Sequence, residues 1–410
     1  MYKKSWILSV LTLFTLYAAA ATPPLQQGNW RAALLREDGQ KIIFNIDIQQ
    51  QKGKTVWYVV NGEEKMLVND LTVVKDSLFI NMPVFESSFR VKIISKDSLA
   101  GVWIKRGPTK DNVMPFSATT KEQYRFSPVN GDASQQAAGK WKIDFIRGSN
   151  HEPALGNFSQ NGNVVTGSIL TPSGDYRFLS GTVTGDLLQL STFDGVHAML
   201  FTAKINKDSL TDASLYSSRA PVQQWVGVKD ANAPVPEGEI TKVKDGESGK
   251  LDFSFNDLDG KQVSINDARY KNKVVIIQLM GSWCPNCMDE MAFLSEYYKH
   301  NKQRGVEIIA LAYEYTTDVQ RSTLSLRKFQ KKFDVTYPML ITPTTVGDPL
   351  RTEKSLPQLT SIKVFPTSLI LDKSGKVVAV HTDFYGPGTG EYYTQYVQNF
   401  EKTINELLKK

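Results

Sequence analysis

Cysteine is almost absent from this chain: 410 residues carry two, Cys284 and Cys287, both inside MGSWCPNCMDE at residues 280–290. A disulfide framework would spread several cysteines over distant segments, because long closed loops constrain the unfolded chain most. A pair with two residues between its members closes almost nothing, so stapling is a poor explanation and redox chemistry a better one. Histidine is nearly as scarce, with four. His151 and His197 have no neighbouring ligands at metal spacing and read as ordinary surface or packed side chains. The formal charge is +6, but Lys and Arg are interspersed with Asp and Glu and no block of like charge stands out; this argues against nucleic acid as a partner.

Long apolar runs are also missing. The start, MYKKSWILSVLTLFTLYAAAATPPLQ, has Lys3 and Lys4, an apolar stretch from Trp6 to Tyr17, then small residues from Ala18 to Ala21. That is the order of a secretory signal peptide over residues 1–21. The stretch falls short of the roughly 20 residues that span a bilayer, so no stable membrane span is expected after cleavage. No cysteine follows the small residues, which excludes a lipoprotein anchor. Export to the periplasm or cell envelope is the expectation, with a mature charge of 6 − 2 = +4.

The rest of the chain divides by pattern. Residues 22–228 hold short alternating segments such as KIIFNIDIQ, KTVWYVVNG and SSFRVKIIS, separated by Gly, Asn, Asp and Ser, the signal of antiparallel strands. GNWR at residues 28–31 returns as GKWK at 139–142, and KDSL at 96–99 returns at 207–210, both 111 residues apart. We read two related β modules, 22–128 and 132–228, side by side or closed into one barrel. Trp30 and Trp141 either plug the modules or mark a docking surface. Residues 229–248, rich in Pro, Gly and charge, read as a linker or an extended crossing strand. From 249 to 410, buried apolar runs (KNKVVIIQLM, VEIIALAYE) alternate with helical stretches at 287–302, 319–333 and 390–409, which indicates an α/β sheet.

Within that second half, residues 274–280 read as a central strand and GSW as the turn leading into a helix that starts at or near Cys284. Pro285 sits in the first turn, where its missing N–H costs nothing. A thiol at a helix N-terminus has its pKa lowered from roughly 8.5 toward 7 or below. Cys287, Met291, Leu294 and Tyr298 share one apolar stripe, so Cys287 faces inward and Cys284 outward. An exposed Cys284 thiolate would attack a partner disulfide and Cys287 would resolve the mixed disulfide. Glu290, one turn beyond Cys287, either assists deprotonation of the resolving thiol or is simply an acid favoured early in a helix. Haem attachment would need a His where Met288 stands, and structural zinc would need two further ligands.

VVIIQLMGSWCPNCMDEMAFL, followed by KVFPTSLILDKSGKVVAVHTDF, resembles the TlpA-like and ResA-like branch of the thioredoxin superfamily, exported disulfide oxidoreductases. The likeness covers about residues 249–410. It implies a thioredoxin-like fold there, no cofactor, protein disulfides as substrates and an upstream thiol as electron donor. It implies that Cys284 and Cys287 form the redox-active disulfide, that Trp283 partly covers it, and that FPTS supplies a cis proline, Pro366, beside Phe365 and Thr367. By the same resemblance the Phe365 backbone would hold the bound partner, Pro366 would keep metal off the cysteines, and Glu290 would handle protons. Gln278 stands where thioredoxin has a buried Asp. The Pro285-Asn286 dipeptide departs from the familiar reducing members and leaves the potential open. The glycine loop at 386–390 would lie near the pair, admitting a partner backbone or merely turning the chain. Reduction of partner disulfides is the first expectation; isomerisation or oxidation, or a ligand-binding β half served by the redox domain, are the alternatives.

Overall fold

The computed structural model describes residues 25–128, 133–238, 241–382 and 384–410. The expected leader, residues 1–21, lies outside the described residues.

The alternating segments of the first half form two separate nine-stranded antiparallel sheets. In each, successive hairpins lead away from the first strand and the last strand returns to pair with it: Asn112–Thr119 with Gly28–Leu35, and Gln223–Lys229 with Gly139–Arg147. The strand orders differ: in the second sheet Val164–Thr171 pairs directly with Leu179–Thr184, leaving the short strand Gly174–Asp175 at its edge. The second closes fully, because Asn150–Asn161 pairs with Val164–Thr171 and the latter with Leu179–Thr184. Period-two alternation sends Trp141, Ile143 and Phe145 inward, as the pleat requires. Trp30 and Trp141 are both fully buried, and their indole N–H groups donate to carbonyls four residues back, Gln26 and Ala137, each at 2.8 Å. Both are core plugs.

The barrels lie side by side and share contacts. Phe193 of the second stacks on Phe44 of the first with ring centroids 4.3 Å apart. Arg125, buried between them, donates to Asn45 Oδ1 at 3.1 Å, to the Val60 carbonyl at 2.5 Å and to the Ser191 carbonyl at 2.9 Å. Beyond the second barrel, residues 241–244 run extended along 358–361, joined by hydrogen bonds such as Lys244 N–H to the Gln358 carbonyl at 2.9 Å.

The last part is a seven-stranded mixed sheet in the order Gln262–Ser264, Ser254–Asp257, Met339–Ile341, Val306–Ala312, Val274–Met280, Thr367–Leu371, Val377–His381. Its helices are α1 (Pro285–Asn301), α2 (Val319–Phe333), α3 (Arg351–Ser355) and α4 (Glu391–Lys409). The Val274–Met280 strand is buried throughout. Val274, Ile276 and Met280 join the core under α1, α2 and α4, while Val275, Ile277 and Leu279 join the opposite one. Gln278 therefore points toward α1, a buried polar residue in an apolar row. In α2 the residues Ser322, Ser325, Leu326 and Phe329 face the core, the i, i+3, i+4, i+7 stripe of an amphipathic helix. Among the described residues no helix is long and apolar enough to cross a membrane.

Candidate functional site

The strand ends at Met280, and a short turn delivers Cys284 to the N-cap of α1, with Pro285 as the first helical residue. Cys284 and Cys287 form a disulfide, their Cα atoms 5.2 Å apart. The backbone N–H of Cys287 donates to Cys284 Sγ at 3.2 Å. An N–H group that the helix leaves without an intrahelical partner thus points at this sulfur, which favours a thiolate when the pair is reduced. The carbonyl of Phe365 lies 3.6 Å from the same sulfur. The Phe365–Pro366 bond is cis, and Thr367 Oγ1 donates to the Val364 carbonyl at 2.8 Å, tying that loop down. Trp283 stacks on Tyr315, meets Phe365 edge-on, and donates its indole N–H to the Tyr313 carbonyl at 2.8 Å.

Glu290 lies on the inner side of α1, 1% exposed. Its carboxylate accepts from Gln278 Nε2 at 2.9 Å, Ser368 Oγ at 2.9 Å and Tyr396 Oη at 3.1 Å. Burial raises its pKa, against the lowering effect of those three donors. Gln278 Nε2 also lies 3.4 Å from the Cys287 carbonyl, so one amide touches both the carboxylate and the Cys287 backbone. A second buried acid, Glu314, accepts from Ser282 N–H at 2.8 Å and Ser282 Oγ at 2.5 Å, two residues before Cys284. Burial pushes it up to about 7. Ser368, Tyr396 and Glu314 were not singled out from sequence; they come from other elements, and their spacing carries no signal.

Cys284 differs from expectation in one respect. It faces away from the sheet, but it is only 4% exposed. The second barrel lies over it. Helical spacing sorts the inner face of α1 from the outer but says nothing about a distant segment covering the outer one. Between the two bodies is a cavity of about 300 Å³ whose lining includes Cys284, Trp283, Phe365, Tyr176, His197 and Met199. His197, read from sequence as a surface or packed side chain, also lines this cavity. Its ring lies 3.3 Å from Asp194; burial pushes that carboxylate up, but His197 and Arg177 hold it at about 2.

The barrel is held against α1 by named contacts. The Asn286 side-chain amide, in the orientation that satisfies both partners, accepts from Asp175 N–H at 2.8 Å and donates to the Asp175 carbonyl at 3.2 Å. Gly174, with φ +133°, passes so close to Asn286 that a Cβ would strike the amide. Asp175 Oδ2 accepts from Gly386 N–H at 2.8 Å. Arg177 grips Asp289 with two bonds, 2.7 and 2.9 Å, and reaches Glu64 of the first barrel at 2.7 Å. A Cβ on Gly388 would stand 2.7 Å from the Arg177 carbonyl. The glycine loop does admit a backbone, and that backbone belongs to the same chain.

A buried strand leading to a Cys-X-X-Cys helix, faced by a cis proline on the neighbouring strand's loop, defines a thioredoxin-like thiol-disulfide oxidoreductase. The family model and the sequence relatives agree. The AhpC/TSA family model matches residues 250–380. The thiol-disulfide oxidoreductase ResA of Bacillus thuringiensis is 32% identical over 164 residues, 40% of this chain and 83% of that protein. That of Bacillus subtilis is 29% identical over 130 residues, 32% of this chain and 63% of the relative. A thioredoxin-family thiol:disulfide interchange protein from Chlorobium tepidum is 21% identical, covering 40% of this chain and 99% of that one, with a TM-score of 0.30. The chain belongs, through its C-terminal two fifths, to the ResA thiol-disulfide oxidoreductase family.

Proposed function

We propose that the protein is an exported reductase of disulfides in partner proteins, recharged by an upstream thiol donor, with Cys284 as nucleophile and Cys287 as resolver. The observation that carries the role assignment is the asymmetry of the pair: Cys284 caps α1 beside the Phe365 carbonyl, and Cys287 is wholly buried. In the reducing direction, the Cys284 thiolate attacks one sulfur of the partner disulfide and releases the other as a thiolate. Cys287 then loses its proton and attacks Cys284 Sγ, freeing the reduced partner and leaving the Cys284–Cys287 disulfide. Glu290, linked to the Cys287 backbone through Gln278, takes part in that proton transfer.

When Glu290 is ionised, its charge disfavours a thiolate at the pair, which makes the reduced form less stable and the pair a better electron donor. Phe365, Pro366 and Thr367 shape the substrate side and Trp283 shields it. We read residues 22–128 and 132–228 as repeats of one module, 229–248 as the linker and 249–410 as the redox domain. The apolar stretch after Lys3 and Lys4 supports export to the periplasm or cell envelope.

Trapping tests the roles. Cys287→Ser accumulates mixed disulfides with oxidised partner proteins through Cys284, and Cys284→Ser accumulates few, read on non-reducing gels. The reverse pattern overturns the assignment.

A further inference from the structure

Cys284 faces away from its own sheet, yet residues 171–178 of the second barrel stand over it and leave it 4% exposed. Those residues do more than touch. The Asp175 backbone occupies both hydrogen-bonding positions of Asn286, the residue between Pro285 and Cys287. Its side chain binds the Gly386 N–H of one loop and, at 2.5 Å, the N–H of Arg177. Arg177 adopts a left-handed backbone, φ 55°, that non-glycine residues seldom take. From there its side chain reaches both Asp289 on α1 and Glu64 on the first barrel. One guanidinium, itself buried, thus joins all three bodies of the chain within one turn of the cysteine motif.

We infer that the second barrel is the far wall of the redox site and selects by size what reaches Cys284: residues Asp175 and Arg177 hold the wall against α1, and Ser173, Tyr176, His197 and Met199 define the chamber. The chemical class admitted is a sulfur centre, thiol-reactive or disulfide, on a carrier narrow enough for a chamber of about 300 Å³. A bulky carrier, a partner protein included, reaches Cys284 only when the Arg177–Asp289 fork opens, so its reaction is slowed and not abolished. The inference rests on Cys284 being the reacting sulfur, but its test does not depend on redox turnover.

The test uses the full chain carrying Cys287→Ser, so that only Cys284 reacts, and compares N-ethylmaleimide with a maleimide bearing a polyethylene glycol chain of several kilodaltons. Relative to free cysteine, labelling by the large reagent is expected to be depressed about tenfold or more against the small one. Arg177→Met, which opens the fork, should restore the large reagent about tenfold. Ser173→Trp fills the chamber from its rim and leaves the fork intact; it should slow even N-ethylmaleimide about tenfold. If Arg177→Met does not fold, Ser173→Trp decides. The inference is overturned if the two reagents label in the ratio seen with free cysteine, or if Ser173→Trp labels at the parent rate. Size selection without any exchange against glutathione would leave the wall standing and remove the reductase reading instead.

Discussion

Glu290 is the residue whose chemistry depends most on its surroundings. The folded carboxyl, raised by burial, keeps a proton that the unfolded one releases near its ordinary 4.5. Its contribution to stability is therefore present below that pH and lost as pH rises from there through the folded value. Glu290→Gln removes this titration. We expect the urea midpoint of the variant to fall less with pH across that window, and the pH profile of mixed-disulfide resolution to change; profiles identical to the parent would discard the proton role. The cysteine pair was legible from spacing alone, because a Cys-X-X-Cys after a buried strand has few other uses. Asn286 was not. Its partner, Asp175, lies more than a hundred residues away, and nothing in the local sequence points to a backbone there. The unexplained departure between the cysteines is a docking residue.

Periodic elements were the easiest to read. The strand Val274–Met280 and helix α2, Val319–Phe333, fall on the boundaries expected from their patterns, since each buries a full face or stripe. Helix α4 closes the site from behind: Tyr396 donates to Glu290, and Phe400, one turn on, packs among Phe293, Tyr297 and Tyr396. Phe400 is fully buried, so Phe400→Ala leaves a cavity and costs about 3–5 kcal/mol, measured by denaturant unfolding. Because the lost ring supports Tyr396, the change should also loosen the Glu290 contact and alter the pH profile in the same sense as Glu290→Gln. The 386–390 loop shows the limit of pattern reading. Its glycines left open a close approach by a partner backbone or a plain turn, and only the fold places residues 175–178 of the same chain against them.

At the scale of the whole molecule, the two barrels and the redox domain are tied by arginines: buried Arg125 between the barrels, buried Arg177 across all three bodies, and half-buried Arg321 of α2 on Glu86 of the first barrel at 2.6 Å. Such long-range pairs leave no periodic trace, which is why the β half read as a scaffold or an independent binding module when it is also the cover of the redox centre. The covered pair is, on the function proposed for it, a reversible dithiol on the reducing side. Equilibrating the full chain with graded mixtures of reduced and oxidised glutathione, and counting free thiols, tests this most directly. Cys284 and Cys287 are expected to oxidise together in one two-electron transition whose potential lies below that of the glutathione couple. A pair that never exchanges, or one whose potential lies above it, would contradict that function.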